Sequence, residues 1–333
     1  MFSSSFFCIF SNRCRLDSCS FLFNPQKVKN LYKPKILYVN FRFLTIILLV
    51  CCCIHQAKSQ NFYFKTHFGT MYYQGDLAPK PLDLSFGPGN LCWGISGGYG
   101  ITDWATIHTR FMIGRLSGDD AFADDISRKE RNLSFASPLY EYGLYTDLLV
   151  NQLWKGLNKY KINLYITAGL NYIQFDPHAY YKGAWVQLQP LGTEGQTIPG
   201  SGKKPYSLSS ISRFYGLIVE FDLSKRLSFG MEVSPRKAYT DYLDDVSGTY
   251  VNYNEMVAAG NPLGAALANR TGEYLNTGPV LLPTGTGRGR ADKQDWYTHF
   301  GLYFKYRLGK GKFVPVFNLP DDSMPKEELE QKQ

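Results

Sequence analysis

Trp296–Leu308 reads WYTHFGLYFKYRL, and its side chains fall into two sets when every second residue is taken. One set is Trp296, Phe300, Leu302, Phe304, Tyr306 and Leu308, interrupted only by Thr298. The other is Tyr297, His299, Gly301, Tyr303, Lys305 and Arg307. A period of two marks a strand with two unlike faces, because successive side chains leave opposite sides of the pleat.

The same pattern recurs upstream. Leu227–Ser234 sets Leu227, Phe229, Met231 and Val233 against Ser228, Gly230, Glu232 and Ser234. Ile162–Phe175 sets Ile162, Leu164, Ile166, Ala168 and Leu170, with Tyr172 at the end, against Asn163, Tyr165, Thr167, Gly169 and Asn171. In Trp104–Leu116, Ala105, Ile107, Thr109, Phe111 and Ile113 oppose Thr106, His108, Arg110 and Met112. In Asn90–Ile101, Leu91, Trp93, Ile95, Tyr99 and Ile101 oppose the small residues Cys92, Gly94, Ser96, Gly98 and Gly100.

The connections alternate in length. Those after Phe62–Tyr73 and after Trp104–Leu116 are long, as are Pro177–Leu208 and Tyr242–Asp295. The one after Asn90–Ile101 is short, as are those around Trp154–Lys161 and Ser224–Arg226. A soluble sandwich has no reason to keep that order, whereas an outer-membrane barrel has tight periplasmic turns and long outer loops. Two further features agree. The polar faces are rich in Gly and Ser, which suits a crowded narrow lumen. Trp104, Tyr140, Tyr172, Tyr215 and Trp296 sit at the ends of apolar stripes, as an interfacial girdle requires. The expected fold is all-β: an eight-stranded antiparallel up-and-down transmembrane barrel with four long extracellular loops.

Residues 1–59 are set apart as a leader. Phe43–Ile54 (FLTIILLVCCCI) is an uncharged apolar run preceded by Lys33, Lys35 and Arg42 and followed by Ala57-Lys58-Ser59. It is well short of the ~20 residues a spanning helix needs, so the expectation is a cleaved secretory signal with Gln60 as the first mature residue. A lipoprotein signal modified at Cys51 is the alternative, with Val50 a poor residue before the cysteine. The stretch before Lys33 is odd for a signal, which suggests an over-extended start. The barrel is expected over 60–308, and residues 309–333 as a disordered periplasmic tail, charged in Asp321–Gln333.

The leader holds eight Lys or Arg and one acid, a net of +7 out of the chain's +8, which leaves about +1. The basic balance therefore gives no ground for a nucleic-acid partner. Six of the seven cysteines also lie there, leaving Cys92 without an intramolecular partner.

Eight strands enclose a bore only wide enough for side chains to fill it. The inward faces carry Lys65, Arg110, Glu141, Asp147, Glu220, Glu232, Lys305 and Arg307, with His67, His108 and His299. Both signs occur, and buried charges must pair, so a plug of ion pairs is expected, with the last strand closing on the first. Chemistry beyond that is weakly signalled. No histidine stands in a G-x-S-x-G or H-E-x-x-H context, and no enzyme activity, cofactor or metal is expected. The clusters Asp119, Asp120, Asp124, Asp125 and Asp241, Asp244, Asp245 lack calcium-loop spacing and read as solvated loop tips. Thr284–Arg290 (TGTGRGR) reads as a flexible loop.

The third and fourth long loops are less bland. Tyr180, Tyr181, Trp185 and Val186 are costly to leave in water, and with Tyr239 and Tyr242 they are the contact candidates, either on the barrel mouth or on a partner. Met256–Asn269 (MVAAGNPLGAALAN) reads as a short helix interrupted by Gly260 and Pro262.

Four stretches carry a resemblance: Asn132-Leu133-Ser134-Phe135 with Ser137-Pro138-Leu139; HAYYKGAWVQLQPLGTEGQ from His178; RKAYTDYLDDVSGTY from Arg236; and DKQDWYTHFGLYFKYRLG from Asp292. Together the chain resembles a Bacteroidetes-type family of small outer-membrane barrels of unknown function. The resemblance implies an eight-stranded barrel with no catalytic residues to carry over. Some members are linked to the type IX secretion apparatus, where such a barrel anchors periplasmic ring lipoproteins.

The function expected is a non-enzymatic anchor or scaffold in the Gram-negative outer membrane. Its partners are expected to be outer-membrane lipid and proteins of an envelope complex. The alternative is a narrow channel or small-ligand binder using lumen and rim. An enzyme at the rim, third, would depend on His178 or Asp241.

Overall fold

The computed structural model describes residues 62–78, 90–151 and 162–308. The expected leader, the tail and the connection around 154–161 lie outside the described residues.

Eight antiparallel strands form the wall: β1 (Phe62–Gln74), β2 (Leu91–Gly100), β3 (Ala105–Asp119), β4 (Ser134–Leu149), β5 (Ile162–Phe175), β8 (Ser209–Asp222), β9 (Leu227–Ala238) and β10 (Trp296–Arg307). Each pairs with its neighbour in the chain, skipping a hairpin between β5 and β8, and β1 pairs with β10, so the sheet closes on itself. Closure leaves no row of unpaired backbone groups along an edge, the condition for spanning hydrocarbon with strands. The hairpin, β6 (His178–Tyr181) and β7 (Ala184–Gln187), was not expected; it continues the sheet beyond β5 through a pairing of Ala136 with His178.

The turns joining β2 to β3 and β8 to β9 are short, and the joins on the opposite end are long. The fourth loop carries helices at Tyr253–Ala258 and Pro262–Ala268, split at Gly260 as the sequence suggests. No helix among the described residues is long and apolar enough to cross a membrane.

Along each strand the large apolar set faces outward. Phe64, Phe68, Trp93, Ile95, Leu144, Ile166, Leu170, Leu217, Met231, Leu302 and Phe304 are all exposed, while their alternates are buried in the bore. A soluble fold would reverse this arrangement. Glycines on the inner face make room for rings: a Cβ on Gly230 would lie 2.2 Å from the Tyr303 ring, and one on Gly98 2.5 Å from that of Tyr63.

The bore is filled in two layers. The half toward the short turns is polar. The half toward the long loops is an apolar plug of Met71, Met112, Leu116, Leu139, Ile173 and Phe175, with Leu243 and Val246 of the fourth loop packed among them. This plug was not foreseen, since the inward faces had been read as polar throughout.

Candidate functional site

The polar layer is built by inward positions whose register places opposite charges together. Lys65 and Lys305 lie directly across from each other on β1 and β10, a repulsive pairing if left alone. Each finds its own acid: the Lys65 ammonium is 2.8 Å from Asp147 and that of Lys305 is 3.0 Å from Glu220. Arg307 reaches both Glu220 and Asp222, at 3.0 and 2.9 Å. One step deeper, both terminal nitrogens of Arg110 donate to Glu232 at 2.8 Å in a bidentate pair, and its guanidinium lies 4.1 Å from the Tyr145 ring. His108 lies 3.5 Å from Asp147, His299 lies 3.6 Å from Glu232, and His67 hydrogen-bonds Ser96 at 2.8 Å.

Seven of the eight charged candidates read from the sequence thus meet in this layer, and the eighth, Glu141, lies across from Met112 and Ile173 at the edge of the plug. One member was missed. Arg236 is fully buried, with its Nε 3.1 Å from Glu141, and Tyr297 donates to the same carboxylate. The expected stretch Leu227–Ser234 stops two residues short of Arg236, just before Pro235. The strand continues through the proline, which faces outward, and the β8–β9 ladder skips Ser234 and Pro235, where no proline N–H can donate. Extending the alternation two residues would have put Arg236 inside.

The long loops close over the apolar plug through a second charged cluster. Glu194 of the third loop accepts from the backbone N–H groups of Ser247 and Gly248, each at 2.9 Å, and pairs with Arg288 at 3.2 Å. Arg288 also reaches Asp245, whose carboxylate accepts from Tyr206 at 2.7 Å and from Thr193. Burial works against the charge of Arg288, but Asp245 and Glu194 hold its pKa above its ordinary range. In the second loop Asp120 takes Arg131 at 2.7 Å. Arg131 in turn donates to the carbonyls of Asp76 in the first loop and Arg288 in the fourth, at 2.8 and 2.7 Å. All four loops are thereby tied together.

Two expectations are corrected by this cap. Asp120, Asp244 and Asp245 are buried and satisfied by arginines, hydroxyls and backbone N–H groups, so they are not solvated tips. The run Thr284–Arg290 is not a free loop, because Arg288 is buried in the cluster and Gly287 bridges to Thr249. No group of three or more metal-ligating side chains is found among the described residues.

Asp244 and Asp295 share one partner. The Tyr73 hydroxyl is 2.6 Å from Asp244 Oδ2 and 2.8 Å from Asp295 Oδ1. One phenol hydrogen is thus shared between two buried carboxyl groups, an arrangement that favours a proton on one of them. Burial pushes Asp244 up to about 8, and burial with the neighbouring Asp244 charge raises Asp295 well above the carboxylate range.

The aromatic contact candidates divide. Tyr242 stacks on Tyr206 with ring centres 4.4 Å apart, and Tyr181 and Val186 pack with Leu188 and Leu267 in the cap. Tyr180 and Trp185 make an edge contact with each other and stay 51 % and 54 % exposed, with the Trp185 ring 5.2 Å from the Arg115 guanidinium of β3. Tyr239 is also exposed. His178 hydrogen-bonds the Asp176 carbonyl, while Asp241 stands in a separate cleft beside Trp296.

No family model matches the chain, and no curated protein matches it. Among solved structures it is similar to Neisserial surface protein A, at 10 % identity and a TM-score of 0.37, over 74 % of this chain and 96 % of that one. It is also similar to the N-terminal β-barrel domain of Pseudomonas aeruginosa OprF, at 10 % identity and a TM-score of 0.30, over 74 % and 98 %. A third is Ail, the attachment invasion locus protein of Yersinia pestis, at 9 % identity and a TM-score of 0.32, over 74 % and 99 %. At these scores the likeness assigns no function.

Proposed function

We propose that the chain is a sealed outer-membrane barrel that serves as a non-enzymatic anchor or scaffold in the cell envelope. The observation that carries this reading is the combination of an apolar outer wall with a bore closed twice, by buried ion pairs and by the apolar plug beneath the tied loops. The wall suits hydrocarbon. Among the described residues, Lys65, Arg110, Arg236, Lys305 and Arg307 each pair with a carboxylate inside the bore, which favours a filled lumen over a conducting one. His67 and Ser96, the one Ser–His hydrogen bond among the described residues, are sealed inside.

A barrel that neither conducts nor catalyses acts through what it holds. The resemblance to barrels linked to type IX secretion gives the finer proposal: its periplasmic side or outer loops anchor proteins of an envelope secretion assembly. Mild crosslinking in cells followed by purification of the barrel tests this. Specific recovery of an envelope protein supports the scaffold, and a barrel recovered alone under conditions that capture other envelope complexes counts against it.

A further inference from the structure

Two cations stand side by side on the outer wall. Arg213 of β8 lies directly across from Lys237 of β9, and Lys237 lies directly across from Trp296 of β10. Their chain neighbours Ser212, Phe214, Arg236, Ala238 and Tyr297 are buried in the bore, so all three point outward. Like charges directly opposite on one face repel, and neither has an ion pair among the described residues. Asp241 shares a cleft with Lys237 and Trp296 but pairs with neither cation.

The level of this row is set by what lies along the same strands. Four residues toward the short turns, Leu217 lies across from Val233, and Val233 across from Phe300, all on the apolar wall. Tyr215 comes between that level and the cations. Beyond the cations, toward the long loops, the Tyr239 ring lies 6.0 Å from the Arg213 guanidinium, and at their own level the Trp296 ring lies 5.5 Å from the Lys237 ammonium. Hydrocarbon, aromatic ring, then cation is the order met on passing from the interior of a leaflet to its headgroups. A cation also follows the apolar wall on β3. There Arg115 stands two residues beyond Ile113 and its guanidinium lies 5.2 Å from the Trp185 ring.

We infer that Arg213 and Lys237, flanked by Tyr239 and Trp296, bind the phosphate of an outer-leaflet glycolipid. Arginine offers a fork of donors to phosphate oxygens and lysine a compact charge beside it. A dianion between them removes the repulsion built into the register. The Tyr215 ring covers the boundary where acyl chain meets headgroup, and Tyr239 and Trp296 flank the cations themselves. The inference rests on the outer-membrane reading, since only there does this face meet lipid phosphate.

The test is native mass spectrometry of the folded barrel in detergent supplemented with a diphosphorylated, multiply acylated glucosamine disaccharide, with phosphatidylcholine as the neutral comparison. The unaltered chain should retain the phosphorylated glycolipid in preference. The double variant Arg213→Gln, Lys237→Gln should bind it about tenfold more weakly or worse, whereas Arg226→Gln, in the β8–β9 turn, should match the unaltered chain. Inorganic phosphate at the same concentration should not displace the lipid. Equal retention by the double variant, equal loss in Arg226→Gln, or displacement by inorganic phosphate overturns the proposal. Heat-modifiable migration on gels reports folding of each variant. Protease protection in vesicles reports insertion separately: a chain that inserts without discriminating between lipids defeats this inference alone, and one that fails to insert defeats the membrane reading.

Discussion

Arg236 and Glu141 meet inside the bore at 3.1 Å, joining β9 to β4 where neither side chain reaches solvent. The pair shows how the wall and its filling depend on each other, because a charge on one strand is tolerable only if a strand elsewhere in the ring supplies its counter-charge. Removing one partner leaves an uncompensated buried charge, a loss of about 3–5 kcal/mol. Arg236→Ala should therefore lower the urea midpoint of the barrel refolded in vesicles by that order. Replacing both residues with leucine should be much milder, because no orphaned charge remains.

Arg288 is the corresponding residue of the cap. Truncation to alanine strips Glu194 and Asp245 of their shared cation while leaving the wall untouched. The expected outcome is local: Thr284–Arg290 becomes open to protease, and the folded barrel keeps its heat-modifiable migration. Collapse of the whole barrel in Arg288→Ala would contradict a cap that is separate from the wall.

Burial of Asp244 makes the cap sensitive to pH, against the Tyr73 hydrogen bond, which favours its charged form. Asp244 has a pKa raised by burial to about 8 when folded, against about 3.9 when unfolded. Between those values the native chain holds a proton that the unfolded chain has lost. Its stabilising share is complete below pH ~4 and declines as pH rises toward ~8. Asp241, which burial raises to about 7, acts in the same direction. The urea midpoint should accordingly be lower at pH 9 than at pH 6, and Asp244→Asn should flatten that difference. A midpoint that rises over the same interval would contradict the assignment.

Leu243, fully buried in the apolar plug, tests the upper seal. Leu243→Ala should cost about 2–5 kcal/mol if the fourth loop is a true part of the core, read as a lowered unfolding midpoint with unchanged migration of the folded form.

The wall was legible in the sequence because a strand between lipid and lumen must change character at every residue, and WYTHFGLYFKYRL does so almost without a break. It stopped being legible where that contrast fades. Near the long loops Met71, Leu116 and Ile173 face inward although they are apolar, so alternation loses its meaning there, and the strand holding Leu116 runs on to Asp119, past its expected end. Arg236 is hard to read for a different reason, since it follows Pro235, and a proline ordinarily ends a strand but is accepted where its missing N–H costs one ladder bond. The cap was illegible for a third. Arg288 and Glu194 are 94 positions apart, and no local period brings such residues together.

The central claim is that the barrel is sealed, and conductance across a planar bilayer tests it most directly. Protein refolded and inserted into the bilayer should pass no steady current above the lipid background at either polarity. Stable open-channel steps from the unaltered chain would contradict the sealed bore and favour the narrow-channel alternative.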